Sequence, residues 1–257
     1  SDFAFTISGG NATLVSATPS SISVSGNTYT LGINLSGMAD GTEDMTLNPV
    51  DNGIYDIAGN EADSDQSLLG VLYLEDKFPA FITSRTLASN NSTLVVVFSE
   101  TVYSDLFGNY LEVSDFAFTI SGGTATLASA TPSSISSSGN TYTLGINLSG
   151  TSDGTETLTL NPVDDGVYDT DGNESTTSQS NNSVTLNDIT PASITGITLA
   201  ADNSTVSVTF SEAVYNATGG SGALEVSDFV FSISGGSATL ASATPSSISA
   251  SGNTYTL

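Results

Sequence analysis

Apolar residues alternate with polar ones over short stretches of this chain, and no stretch shows a convincing helical period with caps. Tyr142, Leu144, Ile146 and Leu148 keep strict period two, the signature of a half-buried strand. The same pattern between Asp76 and Asn187 predicts seven strands. They are Ile82–Leu87, Thr93–Phe98, a third through Phe116, Phe118 and Ile120, then Thr124–Ala130, the Tyr142–Leu148 stretch, Thr157–Leu160 and Val184–Leu186. Clusters of Gly, Pro, Asn and Ser separate them. Seven short alternating strands predict an all-β fold, an antiparallel β-sandwich with Greek-key wiring, with a closed barrel as runner-up.

The pattern recurs. SDFAFTISGG at Ser1 returns at Ser114 and, as SDFVFSISGG, at Ser227, two steps of 113 residues. Ser1–Gly37 and Ser114–Gly150 differ only at Asn11/Thr124, Val15/Ala128 and Val24/Ser137. A period of that length is one small domain rather than a solenoid unit. Residues 76–187 read as a complete repeat. Residues 1–75 lack the first strands of theirs, and residues 188–257 lack the last strands. The stretch begins and ends inside a repeat without an initiator Met or a leader segment, so it is expected to be a slice of a longer protein. An odd strand count puts the two chain ends at opposite poles, so beads join end to end through the Asp-x-x-Pro stretches Asp76–Pro79 and Asp188–Pro191.

Charge narrows the partners. Two basic residues, Lys77 and Arg85, stand against 27 acids, a net −25. Nucleic acid is excluded as a partner, because phosphate affinity needs Lys and Arg. An anionic membrane surface is repelled too, and no apolar run approaches the length of a transmembrane helix. There is no His and no Cys, hence no imidazole triad, no thiol nucleophile and no disulfide. No Gly-x-Ser-x-Gly elbow or phosphate loop occurs, and a small bead has little room for a glycosidase cleft. The chain is expected not to be an enzyme. The Phe and Tyr residues read as core or cross-strand packing.

Tracing strand directions brings carboxylates to one pole of each bead: Glu100, Glu112 and Asp115 after the second strand, and Asp164, Asp165, Asp169 and Asp171 after the sixth. Asp76 of the junction lies there too, facing Asp40, Glu43 and Asp44 of the preceding bead. Neighbouring carboxylates repel by about 1 kcal/mol per pair in water and more when water is excluded. A hard divalent cation relieves this, and calcium takes six to eight oxygens. The candidate ligands are Asp76, Glu100, Asp115, Asp169, Asp171 and Asn173, with Asp188, Glu212 and Asp228 as their third-copy counterparts. Asp169-Thr170-Asp171-Gly172-Asn173-Glu174 resembles the opening of a calcium loop but lacks the full EF-hand pattern. The first copy has Ala58 where Asp171 stands, so a site there loses a ligand. The plainer alternatives are an Asx-turn for Asp169 and Asn173, a solvated strand end for Glu100 and Glu212, and a turn cap for Asp115 and Asp228.

Three segments carry a family resemblance: Val208-Thr209-Phe210-Ser211-Glu212-Ala213-Val214, Leu224-Glu225-Val226-Ser227-Asp228-Phe229 and Tyr168-Asp169-Thr170-Asp171-Gly172-Asn173. Together they resemble the bacterial immunoglobulin-like (cadherin-like) tandem repeats of large surface adhesins and secreted fibrous proteins. The resemblance implies tandem seven-stranded immunoglobulin-like sandwiches outside the cell, no catalysis and calcium at domain junctions. On this reading the chain is a stalk or fibre shaft whose partners are neighbouring repeats. Two alternatives stand beside it: a glycan- or cell-binding module, and a subunit that assembles laterally or end to end with like chains.

Overall fold

The alternating segments become strands, and the chain is all-β, built of several small antiparallel sheets. The structure, a computed structural model, describes residues 2–64 and 70–257. The first and middle copies form one compact unit, Ser1–Asp188, and the third copy a second, Ile189–Leu257.

In the first copy, β1 (Phe3–Ser8), β6 (Asp44–Pro49) and β7 (Leu72–Tyr73) make one sheet in the order β1-β6-β7. β2 (Thr13–Leu14) pairs with β5 (Leu35–Ser36), and β3 (Ile22–Ser25) with β4 (Thr28–Leu31).

The middle copy adds what the first lacks. Its strands are β8 (Ile82–Leu87), β9 (Thr93–Phe98), β10 (Val102–Tyr103), β11 (Phe116–Ser121), β12 (Thr126–Leu127), β13 (Ile135–Ser138), β14 (Thr141–Gly145), β15 (Leu148–Ser149), β16 (Thr157–Pro162), β17 (Tyr168–Asp169) and β18 (Ser183–Thr185). A four-stranded sheet β13-β14-β9-β8 and a three-stranded sheet β11-β16-β18 share one buried core. Leu94, Leu144, Leu158 and Leu160 are completely buried there. Phe98, Phe116 and Tyr142 meet at ring separations of 5.8 to 6.5 Å. Each fully buried Leu contributes about 1.5–3 kcal/mol relative to exposure, so this core is the main support of the copy.

The structure departs from the periodicity in two places. The fifth predicted strand ends at Gly145 and resumes as β15 in a different sheet: Ile146 N–H still bonds the Ser92 carbonyl beside β9 at 2.8 Å, but the Asn147 carbonyl accepts from Ala128 N–H and Leu148 pairs with Leu127. The alternation is continuous, but it crosses from one sheet to another. The fourth predicted strand shrinks to Thr126–Leu127, because Thr124 and Ala125 donate their N–H groups to the carboxylate of Glu156, each at 2.9 Å. Two short pairing partners, β10 and β17, and the serine-rich β13 carry too few apolar residues for alternation to mark them. Apart from strands, two 3₁₀ turns, Val113–Asp115 and Val226–Asp228, are described.

Glu156 and its first-copy counterpart Glu43 are fully buried. Glu43 accepts from Asn11, Ala12 and Asp40 N–H, as Glu156 does from Thr124, Ala125 and Asp153. The approach is close because Gly123, at φ +55°, has no Cβ: one placed there would stand 2.2 Å from the Glu156 carboxyl carbon. Burial by itself raises the pKa of both acids, but the backbone donors outweigh it and hold both below the usual carboxylate range. Glu43 therefore faces its own bead and not the junction.

The third copy has β19 (Ile194–Leu199), β20 (Val206–Phe210), β21 (Ser249–Ser251) and β22 (Thr254–Thr256) in one sheet, ordered β19-β20-β22-β21. No described helix is long and apolar enough to cross a membrane.

Replacing Glu156 by Gln removes a charge-assisted acceptor at constant size and should cost about 1.5–3 kcal/mol, read as a lower Tm by circular dichroism. A depressed folded pKa gives stability that is present above the unfolded value and lost as pH falls through the folded one. Below about pH 4.5 the parent should therefore lose stability more steeply than Glu156→Gln. Parallel acid curves would contradict this role.

Candidate metal centre

Three segments converge on one point between the first and middle copies. The chain leaves β9 at Phe98, and Glu100 follows before β10 begins. β10 pairs with β17 so that Val102 faces Asp169, which brings Glu100 beside Asp169. Asp76 arrives on the linker after β7. Lys77 N–H bonds the Ala39 carbonyl at 2.8 Å, tying that linker to the first copy. On the other side, Asn173 Nδ2 donates to the Asp76 carbonyl at 3.1 Å. Carboxylate oxygens of Asp76, Glu100 and Asp169 all lie within 4.8 Å of one another.

The local chain shapes this acidic trio. Asp169 Oδ1 accepts N–H bonds from Asp171 (2.9 Å) and Asn173 (2.8 Å), and Oδ2 accepts the Asn173 amide at 2.9 Å. The Asp-x-x-Gly-Asn stretch is thus an Asx-turn that fixes its own aspartate. Asp169 is buried, while Asp76 and Glu100 are half-buried. A cleft of about 380 Å³ beside them is lined by Asp40, Gly41, Asp76 and Asp171 among others.

The electrostatics follow from crowding. Burial, and then the charges of Asp169, Asp76 and Asp171, push Glu100 up to about 7. Burial likewise raises Asp76, with Asp169, Asp171 and Asp40 adding repulsion. Every donor group is a hard oxygen, and neither imidazole nor thiolate exists in the chain. Such a set suits calcium or a similar hard cation better than zinc or copper. Asp76, Glu100 and Asp169 would hold it directly, with Asp171 and Asp40 near enough to add charge.

The other predicted residues fall elsewhere or take other roles. Asn173 positions Asp169 and Asp76 through its amide nitrogen. Asp115 lies outside the trio: it ends the 3₁₀ turn and accepts the Glu112 N–H at 2.6 Å. Burial raises its pKa, and the acids repelling it are Glu112 and Asp105. Asp228 makes the same contact with Glu225 at 2.7 Å. Asp188 sits against Gly154 and bridges Asp153, as Asp76 sits against Gly41 beside Asp40. Glu212 is half-buried after β20.

One motif escaped the sequence reading. Asp105-Leu106-Phe107-Gly108-Asn109 is a further Asp-x-x-Gly-Asn turn, with Asp105 accepting from Phe107 and Asn109. The identical spacing was the available signal. Asp56 builds the same turn with Ala58 and Asn60. Asp105 and Asp56 are both held below the usual range, chiefly by the side-chain bonds from Asn109 and Asn60. The aromatics also depart from expectation, since Phe107 and Tyr110 are 91% and 85% exposed.

No protein-family model, curated protein or solved structure matches this chain.

An acid whose folded pKa is raised binds more protons folded than unfolded, so stability falls as pH rises through that interval. In chelator, lowering pH from about 8 to about 6 should therefore raise the Tm, as Glu100 takes up its proton. Glu100→Gln should flatten this slope in calorimetry. An unchanged slope would remove Glu100 from the crowded group.

Proposed function

We propose that this chain is a structural repeat segment of a long extracellular bacterial surface protein, an adhesin stalk or fibre shaft without catalytic activity. Its copies are immunoglobulin-like sandwiches of seven-stranded Greek-key type, and calcium stiffens the joint between consecutive copies. One observation carries the reading: the acidic trio draws Asp76 from the linker and Glu100 and Asp169 from the following copy, at the place where two copies meet. A cation there would tie linker and bead together and would relieve the repulsion that raises Glu100. The near-identity of the copies favours reach and spacing over a single chemical step.

Calcium should raise the Tm and narrow the distribution of shapes seen by small-angle scattering, and chelator should reverse both. Asp169→Asn and Glu100→Gln should each weaken calcium binding by roughly tenfold or more, because charge count sets affinity at such sites. Melting and scattering profiles indifferent to calcium would end the cation reading.

A second reading, recognition of a glycan or cell surface, draws on one observation. Phe107 and Tyr110 project from a turn fixed by Asp105, and exposed aromatic faces beside carboxylates suit sugar rings. The third copy has Asn216-Ala217-Thr218-Gly219-Gly220 in that region and lacks the feature. A glycan array should then give signals that Phe107→Ser with Tyr110→Ser abolishes. A blank array for the parent chain would discard this reading.

A further inference from the structure

The first and last segments of the middle copy run side by side in the same direction. Ser175 Oγ donates to the Ala80 carbonyl at 2.8 Å, and Gln179 Oε1 accepts from Ile82 N–H at 2.9 Å. Further along, Asn181 Nδ2 donates to the Thr83 carbonyl at 3.5 Å, Arg85 Nε to the Ser183 carbonyl, and Asn187 Nδ2 to the Ala88 carbonyl at 3.1 Å. Residue numbers rise together on both sides, so these bonds are the rungs of a parallel ladder. β8 is the edge of one sheet and β18 the edge of the other, so the ladder joins the two sheets along one side. Facing sheets stand about 10 Å apart, which is too far for backbone pairing. Each of these rungs accordingly uses a polar side chain to span the gap.

The far end of the ladder is tied most firmly. Asn187 N–H and Nδ2 both donate to Asn91 Oδ1 at 2.9 Å, while Asn91 Nδ2 at 2.8 Å and Ser152 Oγ at 2.7 Å donate to the Asn187 carbonyl. Asn91 and Ser152 are buried, which strengthens these bonds by excluding competing water. Asn91 sits at φ +58°, a conformation in which Asn is enriched among non-glycine residues. The first copy has Ala39, Ala62 and Glu75 at the positions of Ser152, Ser175 and Asn187. The ladder is thus a feature of the middle copy's own sequence and not of the repeat in general.

We propose that this ladder is a force-bearing clamp, through which the middle copy transmits tension along the chain without opening. The chain enters the copy at the Ala80 end of the ladder and leaves it at the Asn187 end. Tension therefore draws the first segment backward and the last segment forward along one axis. The rungs are loaded in shear and share the load. They break one after another only when the two segments are peeled apart from one end. Forced unfolding is governed by the barrier to opening, and rungs that must give way together raise that barrier. The clamp takes its purpose from the shaft reading but needs no cation, so work in chelator separates it from the calcium-stiffened joint.

The chain has no Cys, so thiols introduced at the exposed positions Thr83→Cys and Ser180→Cys give two unique handles for single-molecule force spectroscopy. Held in chelator by tags at its two ends, this 257-residue variant should release the middle copy in one step of roughly 350–400 Å. Pulled instead by the two thiols, which peels the ladder from one end, the same molecule should open at roughly half the force or less. Arg85→Ala and Asn187→Ala should each lower the end-to-end force. A core substitution away from the ladder, Leu144→Val, should lower it less for the same loss of stability in chemical denaturation. Should either alanine variant fail to fold, Gln179→Ala removes a milder rung and repeats the comparison. Equal forces in the two pulling directions, or equal losses of force from ladder and core substitutions of matched stability, would overturn the proposal.

Discussion

Like charge held at close quarters is the constraint around which this molecule is arranged. Two cations serve 27 acids, so carboxylates cannot be neutralised by ion pairing and must be managed in other ways. Exposed acids dispose of their charge in water. Glu43 and Glu156 dispose of it into backbone N–H groups, and that arrangement stabilises the charged form despite full burial. Asp76, Glu100 and Asp169 have neither remedy in full. They are partly desolvated, near one another, and Glu100 is driven towards neutrality. A group of acids in that condition is poised for a proton or a metal ion.

The repeats provide an internal control on how context shapes structure. Thr28–Leu31 and Thr141–Leu144 have the same sequence, and so do Phe3–Ser8 and Phe116–Ser121. In the middle copy, Tyr142 and Leu144 are buried because β9 pairs alongside and a second sheet packs over them. In the first copy, the same residues form the same hairpin and remain largely open. Local pairing is thus set by the segment, whereas burial is set by what the rest of the copy supplies. The third copy makes the same point from the other side: Phe229–Ser234 keeps the alternating pattern, but without a neighbouring strand it forms no ladder.

The Asp-x-x-Gly-Asn turns separate structure from candidate chemistry in the same way. Asp56, Asp105 and Asp169 all fix their turns by the same hydrogen bonds. The plain turn reading is therefore correct for the motif itself. Of the three, Asp169 is the one whose carboxylate lies within 4.8 Å of two others, those of Asp76 and Glu100, because β17 pairs with β10 and Asn173 of the same turn holds the linker carrying Asp76. The motif identified the turn; its neighbours gave one instance a further potential.

Residue order alone determined the all-β class, the repeat, six of the strand positions to within a few residues, and the gathering of Glu100, Asp169, Asp171 and Asp76 at one pole. These follow from side-chain alternation, from turn residues and from up-and-down strand direction, all of which are local or nearly so. The tertiary structure decided what depends on distance between remote segments. It turned Glu43 and Glu156 inward, because glycines at the ends of β1 and β11 let a carboxylate reach the backbone. It kept Asp115 apart as the end of a 3₁₀ turn, and it exposed Phe107 and Tyr110 on a turn with nothing packed above. Alternation states that a residue has an apolar side; only the packed chain supplies, or fails to supply, something to cover it.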